Sequence, residues 1–264
     1  MGGKTRAELE AATEALGNTW FHSIDLGHGV ITPGHKSAAQ LESELRSLRL
    51  PDLRGKTVLD IGAWDGYFSF AAERLGADRV VALDHYAWSI DFAARYRYEA
   101  QCRQRGVIPR PWEDVPEVWR PDSLPGKACF DAAHEALASR VESIVADFTA
   151  VDPHELGLFD VVLFLGVLYH VRDPFGALQR VAALTNELAV IESAMIVRPG
   201  SERVALCQFV GGDQLAGDPT NWWVPNRRAL REMCLASRFV RVEANRPSWR
   251  GRIGRHRAVF RAWK

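Results

Sequence analysis

The chain has 264 residues and 47% hydrophobic content, enough apolar side chain to bury the core of one large domain or two small ones, which excludes a disordered polymer. Lys+Arg and Asp+Glu balance at 33 each, so no net field draws the molecule toward nucleic acid or an anionic membrane, although a local basic patch remains compatible with that balance. Cys102, Cys129, Cys207 and Cys234 show neither CxxC nor Cys/His ligand spacing, and no apolar run opens the chain. Reduced thiols, mostly filling the core of a cytoplasmic protein without a metal site, are the expectation.

In chain order, residues 1–50 open with a polar helix-like stretch and pass into the aromatic and Gly-rich segments Trp20-Phe21-His22-Ser23-Ile24-Asp25 and Thr32-Pro33-Gly34-His35-Lys36. They are expected to form a helical cap or lid on a main domain spanning 51–264. From Thr57 onward, short β-rich apolar runs alternate with amphipathic stretches, the pattern of βαβ units around a parallel sheet. Strands are expected near Thr57–Ile61, Arg79–Leu83, Val141–Val145, Asp160–Leu165 and Leu188–Ser193, with helices near Tyr67–Leu75, Ser89–Arg103, Pro174–Leu184 and Asn226–Ala236. Residues 105–140 read as an insertion: Pro109, Pro111, Pro116, Pro121 and Pro125 exclude a regular helix or central strand over its first part, while Trp112 and Trp119 indicate packing. The longest apolar run, Val161 to Leu168, suits a buried strand and is far short of the roughly 20 residues a membrane helix needs. Two β-like runs, Arg238–Ala244 and Arg257–Trp263, close the chain as a long hairpin. The expected fold is α/β: a Rossmann-like, mostly parallel seven-stranded sheet with helices on both faces, a C-terminal antiparallel hairpin and an N-terminal lid.

The strongest local signal is Val58-Leu59-Asp60-Ile61-Gly62-Ala63-Trp64-Asp65-Gly66-Tyr67-Phe68, a strand running into a Gly-containing turn that opens a helix. Such a turn lets backbone approach a ligand and aims helix N–H groups at it. About twenty residues on, Asp84 ends the next strand, where a carboxylate can accept both hydroxyls of a ribose. The Gly62/Gly66 pair by itself is equally an ordinary tight turn. With Asp84, then Asp147 after a third strand, then Leu163-Phe164-Leu165-Gly166-Val167-Leu168-Tyr169-His170 ending a fourth, the strand ends form a set suited to an adenosine-containing cofactor.

These residues resemble the class I S-adenosylmethionine-dependent methyltransferases over roughly residues 55–195. Asp60, Gly62 and Gly66 match that family's Asp/Glu-x-Gly-x-Gly-x-Gly turn, with Trp64 at the middle glycine. A dinucleotide site would want that glycine for a pyrophosphate, which S-adenosylmethionine lacks. The resemblance implies S-adenosylmethionine as cofactor, with Asp60 and the Gly62–Gly66 turn, Ala63 included, on its amino-acid end. It also implies Asp84 on the ribose, Asp147 and Phe148 on the adenine, and Phe21, Gly166 and Tyr169 nearby. His85, Tyr86 and Trp88 either stack on the adenine or pack beneath the second helix.

Gly166-Val167-Leu168-Tyr169-His170, Asn221-Trp222-Trp223-Val224-Pro225-Asn226 and Arg257-Ala258-Val259 look like segments of the tRNA wobble-uridine carboxymethyltransferase family. That family holds the extra carboxylate of its cofactor with a lysine, a tyrosine and an arginine. Tyr169 and Arg257 match here, but Asn18 stands at the lysine position, with Lys36 as a conceivable substitute. A missing cation removes charge-assisted bonding of about 1.5–3 kcal/mol, which favours the ordinary cofactor.

For an oxygen acceptor, His170 is the first candidate base, because it follows the fourth strand at the sheet's carboxyl edge; the alternative is that it orients the following loop. His22 and His35 are the other candidates near substrate, and Trp222 and Trp223 are expected to line the acceptor site with Arg257, unless one of the pair is buried and the other exposed. The expected partner is a small-molecule acceptor. A tRNA acceptor is the alternative, carried by Arg246, Arg250, Arg252, Arg255, Arg257 and Arg261 as a phosphate-facing stripe.

Overall fold

The alternation of apolar runs and amphipathic stretches folds as two compact units, residues 1–107 with 112–148 and residues 108–111 with 149–264. The computed structural model describes residues 4–197, 200–245 and 256–264. In the first unit the elements are α1 (Arg6–Leu16), α2 (Ala38–Leu48), β1 (Thr57–Ile61), α3 (Tyr67–Arg74), β2 (Arg79–Asp84), α4 (Phe92–Arg105), α5 (Ala128–Ala136) and β3 (Glu142–Val145). The second unit holds α6 (Pro153–Leu156), β4 (Phe159–Leu165), α7 (Pro174–Leu184), β5 (Thr185–Met195), β6 (Cys207–Phe209), β7 (Trp223–Pro225), α8 (Arg227–Ala236), β8 (Arg241–Ala244) and β9 (His256–Trp263).

Seven strands form one sheet in the order β3-β2-β1-β4-β5-β9-β8, while β6 and β7 make a separate antiparallel pair. β1 runs parallel to β2 from Thr57↔Arg79 to Ile61↔Leu83, and β2 runs parallel to β3. In the second unit β4 is parallel to β5, β9 is antiparallel to both β5 and β8, and the expected C-terminal hairpin is thereby present. The helices start where their caps dictate. Thr5 and Glu8 form a reciprocal capping box at α1, and Ser37, Asp91, Asp173 and Asn226 each accept a backbone N–H at the starts of α2, α4, α7 and α8. No helix among the described residues is long and apolar enough to cross a membrane.

The units divide near residue 148, whereas the sequence suggested a boundary near residue 50. The N-terminal segment belongs to the first unit because its apolar side chains are consumed there: Leu9, Trp20, Leu41 and Leu48 are buried, and α1 packs on α5. The proline-rich stretch makes only short turns at Trp112–Asp114 and Pro125–Lys127 before α5, a helix the sequence reading did not place. Its tryptophan does pack, since Trp112 joins Ile90, Phe92, Val115 and Val118 in one apolar cluster. Cys129 and Cys234 fill core space, and burial pushes both thiols up to about 12, while Cys207 is exposed.

Gly66, the N-cap of α3, has φ of +87°, and a Cβ there would lie 2.6 Å from Phe70 and 2.7 Å from Phe130. Gly66→Ala is expected to destabilise the protein by about 2–5 kcal/mol, the left-handed backbone and the overpacked rings adding together. Urea unfolding of the variant, at unchanged m-value, checks this.

Candidate functional site

In the first unit the ends of β1 and β2 are tied to each other. Gly62, at φ +78°, donates its N–H to the Leu83 carbonyl at 2.8 Å, and Trp64 donates its N–H to Asp84 Oδ2 at 2.9 Å. The other oxygen of Asp84 accepts the Ala87 N–H at 2.9 Å. Trp64 itself has φ of +52°, rare for a bulky residue. Its ring is held between Phe21, stacked at 4.0 Å and 8°, and Phe92 at 5.4 Å and 11°, and its carbonyl accepts the Trp88 Nε1–H at 2.6 Å.

Three carboxylates are buried around this turn. Asp65, wholly enclosed, accepts the N–H groups of Phe21 and His22 at 2.9 and 2.8 Å and pairs with His22 Nδ1. That residue therefore fastens the N-terminal segment to the turn. Asp60 accepts the Ser69 hydroxyl at 2.6 Å; burial pushes it up to about 6, against the pull of Ser69 and His22 and with a smaller push from Asp84. Burial likewise pushes Asp84 up to about 6, although several backbone N–H groups pull the other way.

The second unit carries two polar clusters. Arg257 binds Glu192 through both Nε and Nη2, donates from Nη2 to the Tyr169 hydroxyl at 2.9 Å and lies over the Tyr169 ring at 5.2 Å. Gly166, at φ +76°, abuts them: a Cβ there would come 3.2 Å from Arg257 Nη2 and 3.3 Å from the Tyr169 oxygen. Burial raises the Tyr169 phenol, with Glu192 adding and Arg257 opposing. In the second cluster His170 Nδ1 lies 2.9 Å from Thr220 Oγ1 and 3.2 Å from the Thr220 carbonyl. Thr220 in turn gives Asp218 Oδ1 its hydroxyl at 2.6 Å and its N–H at 2.8 Å. Trp222 is anchored through its N–H to the Tyr169 carbonyl at 2.8 Å and stacks on the Arg172 guanidinium at 4.6 Å, while Trp223 Nε1 donates to the Arg172 carbonyl.

Residues 34–241 match the model of a family described as a methyltransferase domain. The chain belongs to that family. The methyltransferase domain is 27% identical over 261 residues to a tRNA U34 carboxymethyltransferase of Geobacter sp. (strain M21), covering 94% of this chain and 65% of the relative. It is 25% identical over 184 residues to a protein of the same name from Pseudomonas fluorescens (strain SBW25), covering 68% of this chain and 44% of the relative. The chain thus spans between about two fifths and two thirds of the length of these curated relatives. The fold matches the crystal structure of the N-terminal domain of EvdMO1 in the presence of SAH and D-fucose, with a TM-score of 0.61 and 16% identity over 99% of this chain and 97% of that one. The same domain with SAH bound gives a TM-score of 0.60 at 16% identity, over 99% and 98% of the two chains.

Among the residues singled out from sequence, Phe21, Asp60, Gly62, Ala63, Gly66 and Asp84 of the methyltransferase domain gather at the turn of the first unit. His85 lies in the same unit, its ring edge-on to Trp119 at 5.4 Å, while Asp147 is exposed and Phe148 buried. His22, expected near substrate as an alternative base, is 6% exposed and its ring is paired with Asp65. His35 is exposed and its Nε2 lies 3.1 Å from the Tyr96 hydroxyl. Gly166, Tyr169 and Arg257 form one cluster, and His170 another. Trp222 and Trp223 are both half-buried, which corrects the alternative of one inside and one outside. Lys36 is paired with Glu44 at 2.7 Å. Of the arginine stripe, Arg246, Arg250, Arg252 and Arg255 lie outside the described residues, whereas Arg257 and Arg261 are bound to Glu192 and Glu243. Sequence reasoning missed Asp65, Glu192, Asp218 and Thr220. The signal for Asp65 was available, since an acid between two turn glycines points inward as readily as outward.

The carboxyls of Asp60 and Asp84 bind a proton more tightly folded than unfolded, so they lower stability as pH rises from about 4 through about 6. Asp60→Asn removes one of them. Between pH 4 and 7 the parent is expected to lose on the order of 2 kcal/mol relative to this variant, read from urea midpoints; a pH-independent difference would contradict the shift.

Proposed function

We propose that this chain transfers a methyl group from S-adenosylmethionine to an oxygen nucleophile of a small molecule, of the glycoside, phenol or carboxylate kind. The observation that carries the reading is the pair of buried carboxylates at the glycine turn. Asp60 and Asp84 are held by Ser69 and by backbone N–H groups, and neither pairs with a lysine or arginine among the described residues. Such a pair favours a ligand that brings a cationic ammonium and sulfonium and a ribose diol, and it opposes a pyrophosphate. Asp60 and the Gly62–Gly66 turn would hold the amino-acid end and Asp84 the ribose, with His85, Asp147 and Phe148 toward the adenine.

When bound, S-adenosylmethionine would supply the electrophilic methyl carbon and a thioether leaving group. What the chain's residues contribute is orientation, which can lower a barrier by about 7–11 kcal/mol, exclusion of water, and a proton acceptor. His170 is the proposed acceptor of the nucleophile's proton. Trp222 and Trp223 offer aromatic faces on which a sugar or phenol ring can lie, and the D-fucose named for the EvdMO1 structure supports an acceptor of that size.

The tRNA reading draws support from the names of the curated relatives. The small-molecule reading is favoured because the two described arginines of the C-terminal stripe already answer carboxylates, and an arginine satisfied by an internal acid contributes little to phosphate binding. The same pairing speaks for the ordinary cofactor: Glu192 fills the coordination that an additional ligand carboxylate would need from Arg257.

Calorimetry with adenosylhomocysteine is expected to give one site per chain, lost in Asp84→Ala. In His170→Ala, turnover on a hydroxylated acceptor should fall about 10²–10⁴-fold with that affinity unchanged. Turnover equal to the parent's would remove His170 from the reaction, and salt-sensitive tRNA binding by the parent would favour the other acceptor.

A further inference from the structure

Resting on the reading of His170 as the base, we propose that Asp218 and Thr220 are positioning residues that fix which ring nitrogen of His170 carries the proton. The argument follows from what each atom can give. The Thr220 carbonyl, 3.2 Å from His170 Nδ1, can only accept. The Thr220 hydroxyl, 2.9 Å from the same nitrogen, has a single proton, and a carboxylate at 2.6 Å is a stronger acceptor for it than an imidazole. With that proton given to Asp218 Oδ1, the hydroxyl presents a lone pair to Nδ1. Both Thr220 oxygens therefore ask Nδ1 to donate. A neutral His170 is left with its proton on Nδ1 and its basic lone pair on Nε2.

Asp218 holds this arrangement twice over, since the same oxygen that takes the hydroxyl also takes the Thr220 N–H at 2.8 Å. The loop is further tied by Asn221 Nδ2, which donates to the Leu215 carbonyl at 2.8 Å. When His170 takes the acceptor's proton on Nε2, the ring becomes cationic, and the negative charge of Asp218, one hydroxyl away, stabilises it. Neither residue touches the reacting atoms in this scheme. They act through His170, across a separation of 50 residues in sequence between His170 and Thr220.

Two readouts test this, one of them independent of turnover. Ring-nitrogen correlation NMR, with the His170 signals assigned through His170→Gln, is expected to show the parent at high pH with its proton on Nδ1. Asp218→Ala releases the Thr220 hydroxyl to donate to Nδ1, so the proton should move to Nε2 and turnover should fall about 10²-fold or more. Asp218→Asn keeps an amide oxygen that accepts from Thr220; it should retain the Nδ1–H form and most activity at high pH, with the acidic limb of the pH–rate profile displaced to lower pH by the lost charge. Thr220→Val keeps the N–H and carbonyl and removes the hydroxyl, so it should give a mixture of the two forms even if Asp218→Ala fails to fold. A parent carrying its proton on Nε2, or Asp218→Ala and Thr220→Val proteins whose tautomer matches the parent's, would overturn the inference. Tautomers that respond as expected while His170→Ala turns over at the parental rate would instead overturn the assignment of His170 as base.

Discussion

The first unit depends on how the end of β2 captures the turn that leaves β1. The Leu83 carbonyl takes the Gly62 N–H and the Asp84 carboxylate takes the Trp64 N–H, so the backbone is bent back across the strand ends before α3 begins. A bulky residue at positive φ costs about 1–2 kcal/mol. Here the cost is offset by three things at once: a charge-assisted bond to its N–H, the Trp88 indole on its carbonyl, and rings stacked on both faces of its side chain. A tryptophan thus does the geometric work of a glycine while adding a wall that glycine could not supply. Asp65, one residue on, then holds Phe21 against that wall through the backbone of the N-terminal segment.

The glycine turn of the first unit and the polar clusters of the second treat charge in opposite ways. In the first, Asp60 and Asp84 are buried with hydroxyl and backbone donors alone, which leaves negative potential directed at whatever occupies the turn. In the second, Arg257 is answered by Glu192 and Tyr169, and the Asp218 charge is spent on Thr220. Unpaired buried charge invites a complementary ligand, whereas internally satisfied charge orients the groups that share it.

Much of the fold was legible because burial is written in the pattern. Thr57–Ile61 and Pro174–Leu184 were placed to the residue, since an apolar run bounded by turn residues, and a proline behind an aspartate cap, leave few alternatives. The helices α2 and α5 were not, because α2 is mostly polar at its surface and α5 follows a run of prolines that dominates its window. In the candidate site, Asp60, Gly62, Gly66 and Asp84 were legible through their spacing on consecutive strands. Glu192 was hidden inside an apolar strand, and Asp218 and Thr220 were hidden because their partner lies far away in sequence, in contacts only the folded chain creates.

The position of β9 carries a consequence for how the molecule is assembled. This strand follows β8 in the chain yet lies between β8 and β5, pairing with β5 from Leu188↔Trp263 to Met195↔His256. Until β9 is in place, the apolar edge of β5 presents unpaired amide and carbonyl groups, the template on which strands of other molecules add. Closing it requires contacts between segments 61 to 75 residues apart, from Met195↔His256 to Leu188↔Trp263, which are slow to form. The bond between Tyr169 and Arg257 is made in the same event, so the chemistry of that cluster and the sealing of the sheet are completed together.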